Sequence, residues 1–204
     1  MKTFLILPIT VLLLSSHFVS IAQNCPLVCP ENIIAKADSA KGGTYVNFPT
    51  PAVSGNCPSP KYTPASGSFF QLGSSSVIVT TESGERCSFT VTVTDNEPPV
   101  LSPVTLSLKR LWPANGRMRD IAVHYITADN SNETSCAITV SSNDSSVGQD
   151  YEIIDAHSIR LQALRLPNGM PRIYTVTVTC SDEAGNITKR TTNISVAKNA
   201  DGKR

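Results

Sequence analysis

The chain has 204 residues, of which 40% are hydrophobic, so it is long enough to form two small domains. Its 17 basic and 16 acidic residues nearly cancel, which leaves a formal net charge of +1. Proteins that bind nucleic acid or an anionic membrane surface usually carry a marked basic excess. The composition therefore argues against both kinds of partner.

The first 22 residues are typical of a secretory signal peptide. Lys2 supplies a basic start, residues 4–14 form an apolar core, and the small residues Ser20 and Ala22 precede Gln23. This core is shorter than the stretch of about 20 apolar residues that crosses a membrane. We therefore expect a secreted protein, extracellular or at the cell surface, without membrane insertion and with a mature chain that begins at Gln23.

Residues 23–97 are predicted to form a first all-β domain. Residues 50–68 are rich in Pro, Gly and Ser, which is typical of turns and sheet edges. The last predicted strand, 87–94, alternates apolar and polar residues as a half-buried strand does, and Pro98-Pro99 ends any further pairing. The predicted strands of this domain lie at 28–34, 45–48, 69–70, 76–80 and 87–94.

Residues 98–197 are predicted to form a second all-β domain, followed by a flexible tail at 198–204. Apolar residues alternate with polar ones in several segments separated by turns, which indicates a sandwich of two antiparallel sheets. Both domains end in an apolar run, a turn with glycine (Gly84 or Gly185) and an alternating strand, so we expect a diverged internal repeat. The predicted strands lie at 104–108, 121–125, 136–140, 174–180 and 192–196.

Several motifs of the first domain resemble a HYR (hyalin repeat) module. They include Cys29-Pro30-Glu31-Asn32-Ile33, Ser54-Gly55-Asn56-Cys57, the run from Cys87 to Asp95, and Glu97-Pro98-Pro99-Val100. Through residues 111–118 and 182–186, the second domain is similar to immunoglobulin-like repeats that follow HYR modules in secreted bacterial proteins. The resemblance implies two tandem immunoglobulin-like antiparallel β-sandwich domains with adhesive or structural roles and no shared catalytic residues.

All six cysteines follow the signal peptide, and an exported chain is expected to oxidise them. Cys136 begins one predicted strand and Cys180 ends another, which favours a bond between them in an antiparallel sheet. In the sandwich that the resemblance implies, the first and last strands are parallel neighbours, which favours Cys29–Cys87 and leaves Cys25–Cys57. Zinc is the alternative use of Cys25 and Cys29, but no histidine lies nearby to complete its ligands.

The sequence gives little support for catalysis, and no enzyme or cofactor is predicted. Beyond the signal peptide the histidines are His124, which we expect to point outward from a strand, and His157. A glycosidase needs two carboxylates held roughly 5–10 Å apart. Asp150, Glu152 and Asp155 are close in sequence, but a solvated strand edge explains them more simply.

Two other features have both a functional and a structural interpretation. Asp95-Asn96-Glu97 at the joint could suit calcium, a hard cation that prefers oxygen ligands. A polar linker is the preferred interpretation, so no metal is predicted. Trp112 could be a stacking platform for a sugar ring, although a tryptophan between Leu111 and Pro113 more often seals a sandwich core.

The sequence therefore predicts a secreted, non-catalytic adhesion or binding module with an extracellular protein or glycan as its partner. We expect contacts at the edge strands and at the loops 54–64 and 129–135, because loops and unpaired strand edges are the usual binding surfaces of such folds. The alternative is a carbohydrate-binding accessory module, or an enzyme that acts on extracellular polymers.

Overall fold

The computed structural model describes residues 27–49, 58–131, 133–144 and 150–199. These ranges contain sixteen β-strands and no helix, so the predicted all-β class is confirmed. Among them there is accordingly no helix that is long and apolar enough to span a membrane. The predicted signal peptide, together with Cys25 and Cys57, lies outside the described residues.

The N-terminal sandwich is built from six strands around an aromatic core. A four-stranded sheet in the order β1-β6-β5-β3 packs against a two-stranded ribbon of β2 and β4. Phe48 lies at the centre of the core, with its ring centroid 5.2 Å from that of Phe89 and 5.0 Å from that of Tyr62. The strands are β1 (Ile33–Lys36), β2 (Gly43–Val46), β3 (Lys61–Thr63), β4 (Ser68–Gln71), β5 (Gly73–Thr80) and β6 (Arg86–Thr94).

The C-terminal sandwich packs two four-stranded sheets, β13-β14-β10-β8 and β12-β15-β16-β9, while β7 and β11 form a short ribbon. Tyr174, Val176 and Val178 are fully buried between the sheets, as the alternation along β15 predicts. The strands are β7 (Val100–Leu101), β8 (Thr105–Leu106), β9 (Arg110–Leu111), β10 (Met118–His124), β11 (Thr127–Ala128), β12 (Thr134–Ser142), β13 (Tyr151–Asp155), β14 (Ser158–Gln162), β15 (Ile173–Asp182) and β16 (Ile187–Val196).

One four-stranded sheet of each sandwich has the same topology, as expected from an internal repeat. In the first, β1 pairs in parallel with β6, and β6 forms an antiparallel hairpin with β5. In the second, β9 pairs in parallel with β16, and β16 forms an antiparallel hairpin with β15. The outer strands β3 and β12 then pair with β5 and β15.

The turns of the two equivalent hairpins have the same hydrogen bonds. In the first, Thr81 N donates to Glu85 O (3.0 Å), and Thr81 Oγ1 accepts from Glu85 N (3.0 Å). In the second, Asp182 N donates to Asn186 O (3.2 Å), and Asp182 Oδ1 accepts from Asn186 N (2.8 Å). Asp182 is therefore the structural equivalent of Thr81.

Two disulfides lie within the described residues, Cys29–Cys87 and Cys136–Cys180. Cys136 and Cys180 are register partners on β12 and β15, with their Cα atoms 4.1 Å apart, so their bond lies within one sheet. Cys29 joins β6 through Cys87 with a Cα–Cα distance of 5.9 Å. The pairing of Cys25 with Cys57 remains a prediction.

The predicted strand positions are wrong in places. The first strand begins at Ile33 and not at Val28, because Pro30 has no N–H with which to join a ladder. Cys29 therefore precedes β1. The second strand ends at Val46, since the Phe48 N–H donates to Ser66 Oγ (2.9 Å). The predicted strands also omit β13, which shows no apolar–polar alternation, and β14, although Ile159 and Leu161 alternate there with polar residues.

Replacing Cys136 and Cys180 together by alanine should destabilise the C-terminal sandwich by about 2–4 kcal/mol, since the bond restrains the unfolded chain. Its sequence separation is 44 residues. Urea unfolding followed by the fluorescence of Trp112, the single tryptophan, measures the loss. Alanine at Cys29 and Cys87 is the matched control, because it changes only the other sandwich. The prediction is contradicted if both pairs of substitutions shift the Trp112 transition equally.

Candidate functional site

Three carboxylates that are far apart in sequence converge at the joint between the sandwiches. Asp95 follows β6, Asp129 follows β11, and Asp182 is the last residue of β15. One carboxylate oxygen from each lies within 4.8 Å of the other two. We call these three residues the joint cluster.

The β15–β16 turn holds Asp182 in place. Its Oδ1 accepts from Asn186 N, and its Oδ2 accepts from Asn186 Nδ2, both at 2.8 Å. These two bonds fix the orientation of the carboxylate. Asp182 is only 7% exposed, so the carboxylate is also largely removed from water. The same Asn186 Nδ2 lies 3.4 Å from Asp95 O, which joins this turn to the end of the first sandwich.

The loop after β11 brings Asp129 and Asn130 to the same place. Asp129 Oδ2 accepts from Ser131 N at 2.8 Å and from Ser131 Oγ at 2.5 Å. The neighbouring Asn130 Nδ2 donates to Asp95 Oδ1 (3.2 Å) across the joint. A Cβ at Gly42 of the first sandwich would lie 3.3 Å from Asn130 O, so the backbones of the two sandwiches approach closely here.

Only one of the two carboxylate oxygens of Asp95 accepts hydrogen bonds. Its Oδ1 accepts from Glu97 N (3.0 Å) and from Asn130 Nδ2 (3.2 Å). Its Oδ2 exposes less than 1 Å² and has no hydrogen-bond partner, and the same is true of Asn130 Oδ1. Buried polar atoms are nearly always paired, so two orphaned oxygens beside a carboxylate cluster call for an explanation.

The acidic run at the joint does not form a site by itself. Glu97 Oε2 accepts from Ala40 N (2.8 Å), and hydrogen bonds from the Ser39 side chain and from this amide lower the pKa of the Glu97 carboxyl. Asn96 Oδ1 accepts from Thr94 Oγ1 (3.2 Å). Sequence reasoning found Asp95 but missed its two partners in the joint cluster, because their convergence depends on strand register.

Asp150 is not on a solvated strand edge, and that part of the prediction is wrong. It is 4% exposed and lies beside Arg172, which is 1% exposed. The Arg172 guanidinium is 2.7 Å from Asp144 Oδ2 and 3.3 Å from Asp150 Oδ2. Burial lowers the pKa of Arg172, but the Tyr174 hydroxyl and these two carboxylates raise it by more. The group is a buried ion cluster that supports the core.

Replacing Arg172 by methionine should destabilise the C-terminal sandwich by about 3–5 kcal/mol, because it removes the cation that pairs with buried carboxylates. Arg160→Met is the matched control, since Arg160 also pairs with two carboxylates, Asp120 and Glu152, but its side chain is 47% exposed. We expect a loss of about 1 kcal/mol or less for the control. Urea unfolding curves measure both values, and equal losses would contradict the role of burial.

Among the other candidate catalytic residues, His124 and His157 line the same surface pocket, whereas Glu152 and Asp155 are not part of its lining. His124 is exposed, as predicted, and Glu152 is paired with Arg160 on an open face (3.2 Å). The His157 ring stacks on Tyr125 with centroids 4.4 Å apart, and its Nδ1 lies 3.2 Å from Val123 O. Asp155 Oδ1 accepts from the His157 backbone N–H (2.7 Å), so it serves the β13–β14 turn.

Trp112 does not seal the core, and the preferred interpretation of this residue is wrong. Leu111 is fully buried, whereas Trp112 is 46% exposed. Successive residues of an extended chain point to opposite faces, so burial of Leu111 on β9 turns the next side chain outward. Trp112 therefore remains open to solvent.

A second exposed aromatic surface lies on the β2–β4 ribbon. Tyr45 and Phe69 are register partners, with ring centroids 5.2 Å apart and an interplanar angle of 70°. They are 64% and 43% exposed, respectively. A Cβ at Gly43 would come within 2.7 Å of the Phe69 ring, so glycine there lets this ring lie against the backbone. We call Tyr45 and Phe69 the ribbon pair.

The structure describes the two predicted contact loops, 54–64 and 129–135, in part. Residues 54–57 of the first loop lie outside the described residues, and Lys61 begins the edge strand β3. In the second loop, Asp129 and Asn130 face the joint. Part of that loop therefore connects the two sandwiches.

No protein-family model matches the chain, and no curated protein matches it at a significant level. Among solved structures, it is similar to the N-terminal eight Ig domains of Down Syndrome Cell Adhesion Molecule (12% identity, TM-score 0.37), covering 80% of this chain and 26% of that one. Sidekick-1 immunoglobulin domains 1–4 give 13% identity and a TM-score of 0.38, with 82% and 47% covered. For Drosophila OTK extracellular domains 3–5 the values are 12% and 0.36, with 81% and 58% covered.

The chain thus spans less than two thirds of each of these structures. Two of the three are described as Ig or immunoglobulin domains, and the third is described as extracellular domains. At such identities and TM-scores the likeness carries no information on function, which has to be argued from the residues themselves.

Proposed function

We propose that the chain is a secreted, non-catalytic adhesion or binding module that acts at or near the cell surface. Residues 23–97 would form the HYR-like domain and residues 98–197 the immunoglobulin-like domain. The partner is an extracellular protein or glycan. The observation that carries this proposal is the ribbon pair, two aromatic rings held together on a solvent-facing sheet surface.

The ribbon pair has the properties of a contact surface. Tyrosine and other aromatic residues are enriched in protein interfaces, where they bury a large area with few rotatable bonds. Tyr45 is 64% exposed, and its neighbours Thr44 and Val46 on the same strand are 8% and 5% exposed. The strand β2 thus exposes the Tyr45 ring to solvent, while the buried residues on either side of it, Thr44 and Val46, anchor the strand.

The strand β4, which carries Phe69, is also anchored in the core of the sandwich. Phe70, next to Phe69 on β4, is 3% exposed and packs against Phe48 with a centroid separation of 6.4 Å. A preformed surface loses less conformational entropy on binding than a mobile loop does. The Cys29–Cys87 bond adds a further restraint to the same sandwich.

Replacing Tyr45 and Phe69 together by alanine should weaken binding at least tenfold, or about 1.4 kcal/mol, with little loss of stability because both rings are exposed. Labelled mature chain is applied to intact cells of its source and to arrays of extracellular proteins and glycans. Alanine at Ile153 and Ile154 is the matched control, since both are exposed (43% and 49%) on the other sandwich.

Wild type and control should be retained equally by at least one surface, and the ribbon variant should be lost from it. If no cell, protein or glycan retains the wild-type chain, the binding function is wrong. If the ribbon variant binds like wild type, a different surface makes the contact.

Carbohydrate binding is the second candidate function, and the exposure of Trp112 favours it. An exposed indole offers the flat apolar face on which sugar rings stack. Acrylamide should quench Trp112 fluorescence readily in the free chain, because the side chain is 46% exposed. A polysaccharide that binds there should protect the indole, and Trp112→Phe should release the chain from the immobilised polymer. Quenching that no polysaccharide changes would remove this candidate.

A further inference from the structure

We propose that the joint cluster binds a calcium ion and that this ion fixes the two sandwiches relative to one another. The proposal is independent of the adhesion function, since it concerns only Asp95, Asp129, Asp182 and their immediate neighbours. The sequence favours a polar linker at residues 95–97. The proposed site extends beyond that linker, because Asp129 and Asp182 belong to the second sandwich.

The spacing of the carboxylates suits one ion. Calcium binds oxygen ligands at about 2.4 Å, so two oxygens on the same ion lie at most about 4.8 Å apart. One oxygen each from Asp95, Asp129 and Asp182 meets this limit for every pair. Among the described residues, none of the observed ion pairs neutralises any of the three.

The orphaned oxygens are a second sign that a ligand belongs here. Asp95 Oδ2 and Asn130 Oδ1 each expose less than 1 Å² and accept no hydrogen bond. Leaving a charged oxygen buried without a partner is costly, and a bound cation removes that cost. Asp95 Oδ1 is already taken by Glu97 N and Asn130 Nδ2, so Oδ2 is the oxygen left for an ion.

The donor set selects a hard cation. The cluster offers carboxylate oxygens, with no histidine or cysteine among the grouped residues, which disfavours zinc. Calcium accepts six to eight oxygen ligands in irregular geometry, and magnesium demands a near-ideal octahedron. Three carboxylates from three separate segments of the chain therefore fit calcium better.

The internal repeat shows that the turn itself does not need the carboxylate. Thr81 makes the same turn with a hydroxyl, accepting from Glu85 N at 3.0 Å where Asp182 accepts from Asn186 N at 2.8 Å. The substitution Asp182→Thr should therefore keep the turn and remove one ligand. The variant turn has a counterpart that already folds in the first sandwich.

Calorimetric titration of the EDTA-treated mature chain with calcium chloride tests the site. We expect one ion per chain with a Kd of about 10⁻⁴–10⁻³ M, the range of extracellular modules, and a rise in the thermal midpoint with calcium concentration. Asp95→Asn and Asp182→Thr should each weaken binding at least tenfold. Asp120→Asn is the control, because this carboxylate is 85% exposed and outside the cluster.

Each outcome decides the proposal. The absence of saturable heat and of any midpoint shift up to about 10 mM calcium, well above the weakest extracellular Kd values, overturns it. Wild-type affinity in both cluster variants overturns the assignment of ligands, and equal affinity for magnesium overturns the choice of ion. Asp95→Asn is isosteric and touches no hairpin turn, so it still tests the ligand assignment if Asp182→Thr does not fold.

Small-angle X-ray scattering tests the coupling of the sandwiches. Calcium should narrow the distribution of interdomain distances in the wild type and should leave the Asp95→Asn variant unchanged. Bound calcium without this narrowing would contradict the bridging role.

Discussion

The parallel pairing of β1 with β6, at one edge of the larger sheet of the N-terminal sandwich, determines which segments of the chain reach the joint. Because β1 and β6 run in the same direction, both end on the same side, where Ala37 N donates to Thr94 O (3.0 Å). The chain then leaves β1 into the loop 37–42 and leaves β6 into the linker. These two exits meet, which is why Glu97 Oε2 accepts from Ala40 N at 2.8 Å and stiffens a linker that already contains two prolines.

In the C-terminal sandwich, the antiparallel pairing of β12 with β15 likewise determines which segments of the chain reach the joint. Thr134, the first residue of β12, is the register partner of Asp182, the last residue of β15. The loop before β12 and the turn after β15 must therefore emerge together, which brings Asp129 beside Asp182. Two residues further in, Cys136 pairs with Cys180 and is bonded to it, so the disulfide locks the register on which the joint cluster depends. A slip by one residue would turn every side chain on β12 to the opposite face.

Much of the fold can be predicted from the sequence, because alternation and turn residues act locally. The long strands β6, β12, β15 and β16 are visible as period-2 patterns, and the equivalent hairpins can be recognised by their glycines, which adopt φ angles of 90° at Gly84 and 89° at Gly185. Short pairings such as β7 with β11 have no local signature, since two residues show no period. Burial of Asp150 is likewise invisible in the sequence, because its partner Arg172 is 22 residues away.

The joint cluster could not be predicted for the same reason, although each member has a local signal as a turn residue after a strand. Asp, Thr and Ser all serve in that position, so the choice among them is decided by what the turn faces. The turn at Thr81 precedes β6 and lies at the end of the first sandwich opposite the joint, where a hydroxyl suffices. The turn at Asp182 lies at the joint, beside Asp95 and Asp129. One hairpin, used twice, thus carries a carboxylate only where another sandwich is in contact with it, which is the pattern expected of a ligand and not of a turn requirement.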